Sequence, residues 1–274
     1  MVVFPNAKIN LGLRVKAKRH DGYHELDTVF IPVPLHDVLE VVRQQEDSQQ
    51  EFTFTQTGLP IPGDLNSNLC FKAYSILKKE HPDLPSIKVH LHKIIPMGAG
   101  MGGGSSDGAF MLNLLNEKFN LEIDQAILKQ YALQLGSDCP FFIDNTCCSA
   151  TGRGEILDPI TLDLKGKQLI LVCPGIHVST AQAFANIRLS PDATSSKEIV
   201  QKPIQEWKGI LKNDFEETVF ALHPELKKIK DELYDLGATY AAMSGSGSTL
   251  FGIFNDEVPS KKWPEHYQVF IEKF

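Results

Sequence analysis

The sequence lacks both an excess of basic residues and any long apolar run. Its 27 Lys and Arg residues stand against 34 Asp and Glu residues, a formal net charge of −7. A net acidic surface repels a polyanion, so the charge balance argues against a nucleic-acid partner. No apolar run approaches the ~20 residues that a membrane helix needs, so no membrane partner is expected either.

Cysteine is also scarce. The five cysteines are odd in number and form no Cys-x-x-Cys pair, which is typical of reduced thiols inside a cell. The segment from Met1 to Asn6 lacks the basic and apolar parts of a signal peptide. These features predict a cytoplasmic protein.

What the sequence does contain is a mixture of strand and helix patterns along 274 residues. The two kinds intermix without regular βαβ alternation, which favours an α+β fold over a doubly wound parallel sheet. A second set of elements begins near residue 150, where we predict a domain boundary. The predicted strands cover residues 8–18, 37–43, 51–57, 87–92, 167–173, 249–254 and 267–272, and the predicted helices cover 67–80, 108–115, 124–135, 215–223 and 224–236.

The sequence also predicts which side chains face solvent at two places. The strand 8–18 alternates polar and apolar side chains, which predicts one buried side and one solvent-facing side. Lys8 and Asn10 share the polar side, ~7 Å apart along the strand, and a solvent-facing surface would explain both. Residues 44–50 contain no apolar side chain and are predicted to be the exposed tip of a hairpin.

Six glycines crowd residues 98–108, between a predicted strand and an apolar helix. Glycine permits close approach of the backbone and positive φ. The N–H groups at a helix start, with the positive end of the helix dipole, attract phosphate, and Ser105 and Ser106 add hydroxyl donors. The run therefore predicts a phosphate site, and the alternative is a glycine-rich turn that only packs a helix on a strand.

Two familiar phosphate-binding motifs do not account for this run. Gly98, Gly100 and Gly103 satisfy G-x-G-x-x-G, but helices follow instead of the next strand of a dinucleotide-binding unit. The Walker pattern fails because Gly104 and Ser105 stand where Lys and Ser or Thr are required. A nucleotide-binding oxidoreductase stays an alternative of a different class.

Phosphoryl transfer needs a cation near the transferred phosphate and a carboxylate near the attacking hydroxyl. Lys8 and Asp138 are candidates, although Asp138 would also suit a helix N-cap or an Asx-turn. His90 and His92 share a strand face and suit a metal, but simple exposure explains such a pair more often. The glycine-rich loop 244–248 would close over phosphates if it paired with the first glycine run, and otherwise is a flexible turn.

Six motifs lie in one order along the chain: Pro5–Leu11, Asp21–Leu26, Pro96–Asp107, Gly136–Phe142, Ala150–Glu155 and Met243–Ser248. Together they resemble the GHMP kinase superfamily. Its signature, Pro-x-x-x-Gly-Leu-Gly-Ser-Ser, is similar to Pro96–Ser106. The resemblance implies a two-domain α+β fold, with an N-terminal ribosomal-protein-S5-like α/β domain, a C-terminal α+β domain and an active site in the cleft between them. It assigns residues 1–150 to ATP binding and catalysis and residues 151–274 to substrate binding.

Within the superfamily the motifs most resemble a branch that phosphorylates the 2-hydroxyl of a cytidine-diphosphate-linked methylerythritol in the non-mevalonate isoprenoid pathway. This resemblance implies ATP and Mg²⁺ as cofactors, that small molecule as the partner, and a monomer or weak homodimer. A homoserine or mevalonate type of kinase is the alternative within the superfamily. An RNA-binding domain is another alternative, which the charge of −7 opposes.

The resemblance also implies roles for matched residues. Asp138 would act as the base at the acceptor hydroxyl, and Lys8 would hold that hydroxyl and offset developing charge. Asp107 stands where several members have Asn, which leaves a Mg²⁺-linked and a helix-capping role open. The implied ATP contacts are Asn68, Pro96, Gly98, Ala99, Gly100, Met101, Gly102, Gly103, Gly104, Ser105 and Ser106. The implied substrate contacts are Asn10, Tyr23, His24, Thr180, Phe184, Gly245 and Ser246, with Tyr23, His24 and Phe184 at the cytosine.

Overall fold

The computed structural model describes residues 1–45 and 50–274, so most of the predicted hairpin tip lies outside the described residues. Within them, none of the helices is both long and apolar enough to cross a membrane. The strands are β1 Val2–Val3, β2 Asn6–Lys18, β3 His24–His36, β4 Val38–Arg43, β5 Phe52–Gly58, β6 Ile87–Lys93, β7 Cys148–Gly152, β8 Ile156–Pro159, β9 Gln168–Cys173, β10 Tyr240–Met243, β11 Leu250–Phe254 and β12 Gln268–Lys273. The helices are α1 Leu69–Glu80, α2 Gly103–Lys118, α3 Gln125–Leu135, α4 Phe141–Asp144, α5 Thr180–Phe184, α6 Ser196–Ile199, α7 Phe215–Leu222 and α8 Pro224–Asp235, with short 3-10 helices at Leu65–Ser67 and Ile204–Glu206.

The chain divides into two compact units, and each is assembled from separate stretches of sequence. Unit 1 consists of Met1–Ala7, Leu35–Met97 and Gly102–Asn145, and unit 2 consists of Lys8–Pro34, Gly98–Met101 and Thr146–Phe274. Both units combine helices with largely antiparallel sheets, so the prediction of an α+β fold is confirmed. The domain division at residue 150 stays a prediction.

Unit 1 contains a four-stranded sheet of order β1-β4-β6-β5. Strand β6 lies between β4, to which it is antiparallel, and β5, to which it is parallel. The predicted hairpin of β4 and β5 is therefore wrong. The cause is β6, whose apolar residues Ile87, Val89 and Leu91 are at most 1% exposed and which takes the central position. Helix α1 supplies the crossover that a parallel neighbour requires.

Helix α2 is the central helix of unit 1 and begins five residues earlier than predicted, at Gly103. Glycine lowers helix propensity, so the sequence suggested a loop where the structure has helical turns. Close packing explains the glycines instead. A Cβ at Gly108 would lie 2.9 Å from the Cβ of Leu69 in α1, and one at Gly103 would lie 2.8 Å from Ile95.

Unit 2 contains two sheets, of order β2-β3-β7-β8 and β10-β11-β9-β12. Strand β2 is buried on both sides from Asn6 to Leu13, so the predicted solvent-facing side is wrong for Lys8 and Asn10. The loop after β10 covers that side, where the backbone N–H of Asn10 donates to Ser244 Oγ at 3.3 Å. The sequence also missed strand β3, because Pro32 and Pro34 stand near its end, beyond the residues that pair with β7.

An aromatic cluster organises part of the core of unit 2. Trp207 is 1% exposed, its indole N–H donates to the carbonyl of Lys202 at 2.9 Å, and its ring meets Tyr240 edge-on at 5.5 Å. The hydroxyl of Tyr240 in turn donates to the carbonyl of Leu211 at 3.0 Å. Both buried polar atoms are therefore satisfied, which is what makes two large amphipathic rings acceptable in a core.

Replacing Trp207 by Ala is expected to lower the free energy of unfolding by about 3–5 kcal/mol, because it removes a fully buried ring and leaves a cavity. Trp263→Ala is the matched control, since Trp263 is only partly buried against the core, and a clearly smaller loss is expected there. Urea unfolding followed by circular dichroism measures both. Equal losses would mean that the Trp207 cluster has no special part in the core.

Candidate active site

The glycine run forms the start of helix α2. Gly98, Gly100 and Gly102 have φ of 65°, 82° and 69°, in the left-handed region that favours glycine. Helices α1 and α3 each begin with a side-chain cap, from Asn68 and Asp124. Helix α2 has Gly102 as its N-cap, and no side chain of the described residues caps it. Its first-turn N–H groups are therefore available to an anion, which the helix dipole also favours.

The part of the run in unit 2, residues 98–101, is held by its backbone. The N–H of Lys8 donates to the carbonyl of Met101 at 2.9 Å, and the N–H of Thr249 donates to that of Ala99 at 3.2 Å. Ser244 Oγ donates to the carbonyl of Gly100 at 2.8 Å. The second glycine loop, with Gly245, therefore packs directly on the first, which is the arrangement that closure over phosphates would require. Its role at the phosphates stays a prediction.

Lys8 and Asn10 form a buried polar group on β2. They are 3% and 2% exposed, and Lys8 Nζ donates to Asn10 Oδ1 at 2.7 Å. Asn10 Nδ2 donates to Thr28 Oγ1 at 3.0 Å, and the ammonium lies 4.6 Å from the centre of the Phe30 ring. Burying an ammonium is costly unless it is hydrogen-bonded, so this placement is typical of a functional site.

Asp138 lies in the turn between α3 and α4, in unit 1, whereas Lys8 belongs to unit 2. The carboxylate-bearing residue is partly exposed. A helix N-cap, one alternative for this residue, is wrong, because Pro140 takes the N-cap position of α4. The turn itself begins at Gly136, which is the C-cap of α3.

Two aromatic rings meet face to face in unit 2. The His24 and Phe184 rings are stacked, with centroids 4.4 Å apart and planes 18° from parallel. Phe184 also meets Phe215 edge-on at 4.7 Å, which fixes its place at the edge of the core. Burial, with a contribution from Lys18, lowers the pKa of His24, which favours a neutral imidazole that can both donate and accept. Thr180 begins the same short helix that carries Phe184.

Tyr23 immediately precedes His24 in the sequence, and its side chain is exposed, with 52% of its surface accessible. The Arg153 guanidinium lies 4.7 Å from its ring centre, a cation–π contact that holds a ring otherwise free to move. The backbone N–H of Tyr23 donates to Asp21 Oδ1 at 3.1 Å. Sequence reasoning gave Arg153 no role, because nothing in a motif tells which ring a residue 130 positions away will touch.

Other candidates have structural partners. Asn68 Oδ1 accepts from the N–H of Cys70 at 2.8 Å, so it caps α1, and its place near a nucleotide stays a prediction. His90 bonds to the hydroxyls of Thr55 and Thr57. Among residues 1–45 and 50–274, no three His, Cys, Asp or Glu side chains are grouped closely enough to bind a metal.

Asp107 is neither a helix cap nor a surface residue. It is 3% exposed, and its carboxylate lies 2.6 Å from Lys93 Nζ. The capping role is wrong because Gly102 is the N-cap of α2. Sequence reasoning gave Lys93 no role. The available signal was a lysine at the end of an otherwise alternating strand, immediately before the glycine run.

Comparison with known proteins gives a consistent picture. The chain matches the family models "GHMP kinases N terminal domain" over residues 68–152 and "GHMP kinases C terminal" over residues 195–265. It is 52% identical over 257 residues to 4-diphosphocytidyl-2-C-methyl-D-erythritol kinase from Bacteroides fragilis, covering 94% of this chain and 93% of that one. A crystal structure of 4-(cytidine 5'-diphospho)-2C-methyl-D-erythritol kinase superposes with a TM-score of 0.79 at 33% identity, covering 92% and 90% of the chains. The mevalonate kinase of Methanococcus jannaschii superposes with a TM-score of 0.73 at 14% identity over 100% and 98% of the chains, which shows a shared fold alone.

The contact between the two glycine loops predicts different effects of alanine at two glycines of the run. A Cβ at Gly100 would lie 2.1 Å from the carbonyl oxygen of Ser244, with φ at 82°. Gly100→Ala is therefore expected to lower the free energy of unfolding by more than about 2 kcal/mol. A Cβ at Gly104 would meet only the flexible end of Met97, at 3.1 Å. Gly104→Ala lies within a helix and should change the free energy of unfolding by about 1 kcal/mol or less. Thermal unfolding of both variants tests this, and equal melting temperatures would contradict it.

Proposed function

Since the chain belongs to the GHMP kinase family, we propose that it transfers a phosphoryl group from ATP to the 2-hydroxyl of 4-diphosphocytidyl-2-C-methyl-D-erythritol. This step belongs to the non-mevalonate isoprenoid precursor pathway. The observation that carries the proposal is the identity of more than half of the aligned residues to a curated relative of that name, along nearly all of both chains. The mevalonate and homoserine kinases share the fold at 14% identity. An identity this low does not indicate which substrate the chain binds.

ATP binding is assigned to the start of α2. Its uncapped first turn offers backbone N–H groups, and the Ser106 hydroxyl is buried without a hydrogen-bond partner among the described residues. Unpaired donors of this kind suit phosphate oxygens. Mg²⁺ accompanies ATP and takes several of its ligands from phosphates and water. We assign it no protein ligand, because no three His, Cys, Asp or Glu side chains of the described residues are grouped closely enough to bind a metal.

Asp138 and Lys8 are assigned to the transfer itself. The Asp138 carboxylate accepts the proton of the acceptor hydroxyl, the hydroxyl oxygen bonds to the γ-phosphorus, and the bond from that phosphorus to ADP breaks. A weak base suffices when the transition state is loose, because little charge develops on the attacking oxygen before the leaving group departs. The Lys8 ammonium, oriented by Asn10, offsets negative charge at the acceptor.

Cytosine recognition is assigned to Tyr23, His24 and Phe184. Support comes from the stacked His24 and Phe184 rings and from Tyr23, whose ring is half exposed and held by Arg153. Aromatic faces bind a base by stacking, and an imidazole reads its edge by hydrogen bonding. A small hydroxy acid such as mevalonate has no ring on which these side chains could stack, so they favour the cytidine substrate over those of the alternative kinases.

The direct test follows ADP production by the purified protein with Mg²⁺ and ATP. Three acceptors are offered separately: 4-diphosphocytidyl-2-C-methyl-D-erythritol, homoserine and mevalonate. Turnover with the cytidine compound alone supports the proposal. Turnover with another acceptor would support phosphoryl transfer but overturn the assignment of the three rings to cytosine. The absence of turnover with all three acceptors would overturn the proposed kinase activity.

Asp138→Asn is expected to reduce turnover by about 10²–10⁴-fold, because the amide cannot accept the proton. The affinity for ATP should stay within about threefold of the wild type, since the proposed phosphate site is the start of α2. Steady-state kinetics and calorimetric titration of ATP measure the two effects. The control is Asp144→Asn, which changes a partly exposed carboxylate of the neighbouring helix. Unchanged turnover in Asp138→Asn would remove this residue from the chemistry.

Phe184→Ala is expected to weaken binding of the cytidine substrate by about 1–3 kcal/mol through loss of stacking, with little change in the affinity for ATP. Phe220→Ala is the matched control, because Phe220 is also a partly buried ring packed against the same core and has no part in the proposed site. The Michaelis constants of both variants for the cytidine compound and for ATP test this expectation. An unaltered constant for the cytidine compound would leave Phe184 a packing residue only.

A further inference from the structure

Three charged side chains are buried together in unit 1, below the start of α2. Lys93 Nζ lies 2.5 Å from Asp37 Oδ2 and 2.6 Å from Asp107 Oδ2, and the three side chains are between 0% and 5% exposed. Two buried carboxylates share one ammonium, so the cluster has a formal charge of −1. Such burial costs free energy that an apolar core would avoid, and the proposed roles of the other residues do not explain it.

The cluster links α2 to the end of strand β6 through consecutive contacts. Asp37 Oδ1 accepts from the backbone N–H groups of Ile94 and Ile95, at 2.6 and 2.9 Å, so Asp37 is fixed to the backbone that leads into the glycine run. Lys93 ties Asp37 to Asp107. The ammonium therefore joins the last residues of β6 to the second turn of α2.

Gly103 completes this arrangement. It is the first residue of α2, one turn before Asp107, so both face the same side of the helix. A Cβ at Gly103 would lie 3.0 Å from Lys93 Nζ, and the ammonium is consequently packed directly under the first helical turn. That turn carries the N–H groups assigned to the phosphates of ATP, so its position depends on where the ammonium holds it.

We propose that Lys93 and Asp107 are positioning residues for ATP, which fix the first turn of α2 on the end of β6. The inference rests on the phosphate site of the proposed function and deepens it. A misplacement of about 1 Å in a positioned group can cost about a hundredfold in reaction rate, so the position of the first turn of α2 matters for the function of the site.

The charge states of the three side chains are compatible with a structural link between β6 and α2. The carboxylates of Asp107 and Asp37 raise the pKa of Lys93 against the effect of burial, which keeps the ammonium charged. Burial raises the pKa of Asp107 to about 7 despite the opposing effect of Lys93. Asp107 is therefore the member that can lose its charge at the least cost. What Lys93 requires of it is an oxygen that accepts a hydrogen bond, and an amide supplies one.

The test compares two uncharged replacements of Asp107. Asn keeps an oxygen for Lys93, whereas Ala removes it, and both leave the neutral pair of Lys93 and Asp37. Because the two variants have the same charge, the electrostatic effect on ATP is the same in both. Their difference measures the loss of the contact with Lys93 together with the loss of side-chain volume, and excludes the loss of charge. We expect Asp107→Ala to bind ATP about tenfold more weakly than Asp107→Asn, with equal affinity for 4-diphosphocytidyl-2-C-methyl-D-erythritol.

The matched control is the same pair of replacements at Asp214. Its carboxylate pairs with Arg14 at 2.9 Å and accepts from the N–H of Val15, in unit 2, and equal ATP affinities are expected for Asp214→Asn and Asp214→Ala. Calorimetric titration of each ligand and thermal unfolding without ligand are measured for all four variants.

Equal ATP affinity in the two Asp107 variants would overturn the proposal. An equal loss of affinity for both ligands, accompanied by a lower melting temperature, would also overturn it, because that result describes general destabilisation. The ATP measurement does not need turnover. If the wild type fails to phosphorylate the cytidine compound, the proposed function fails, while the Asp107 comparison still decides the positioning role.

Discussion

The close approach of Gly100 to Ser244 is the constraint on which the surroundings of the glycine run depend. The carbonyl oxygen of Ser244 occupies the place that a side chain at residue 100 would need. Only with that space open can the hydroxyl of Ser244 reach the carbonyl of Gly100 and cover the polar side of β2 through Asn10. A glycine therefore acts here through the contact that it permits, in addition to its backbone freedom.

The sequence predicted the parts of this protein that depend on local pattern. Alternation located β6, helical spacing located α1 and α3, and the glycine density marked the segment where α2 begins. It failed where distant segments decide the outcome. The strand β6 inserts between β4 and β5, and the burial of Lys8 depends on a loop more than 200 residues away. Asp107 was ambiguous for the same reason, because its partner Lys93 lies on another element.

Charged and polar groups inside the two units mark departures from the rule that cores are apolar. In unit 2 the Lys8 ammonium is held by Asn10, which is held by Thr28. In unit 1 the Lys93 ammonium is held by two carboxylates. Each group is largely satisfied internally, which prevents the penalty of an isolated buried charge. Proteins commonly depart from local rules at functional sites, and both departures here adjoin the glycine run in sequence or through its backbone hydrogen bonds.

The interleaved composition of the two units has a consequence for biosynthesis. Unit 1 draws on nothing beyond Asn145, whereas unit 2 joins Lys8–Pro34 to segments that extend to the last residue. Strand β2 meets Asn213 and Ser244 only after 200 or more further residues have been translated, which takes roughly 10 to 50 s on a ribosome. Throughout that interval Leu13, which is buried in one core cluster with Ile170 and Val172 in the finished protein, lacks its later neighbours. A strand made near the start of synthesis is therefore among the last to be completed, and until then its apolar side chains need protection from aggregation.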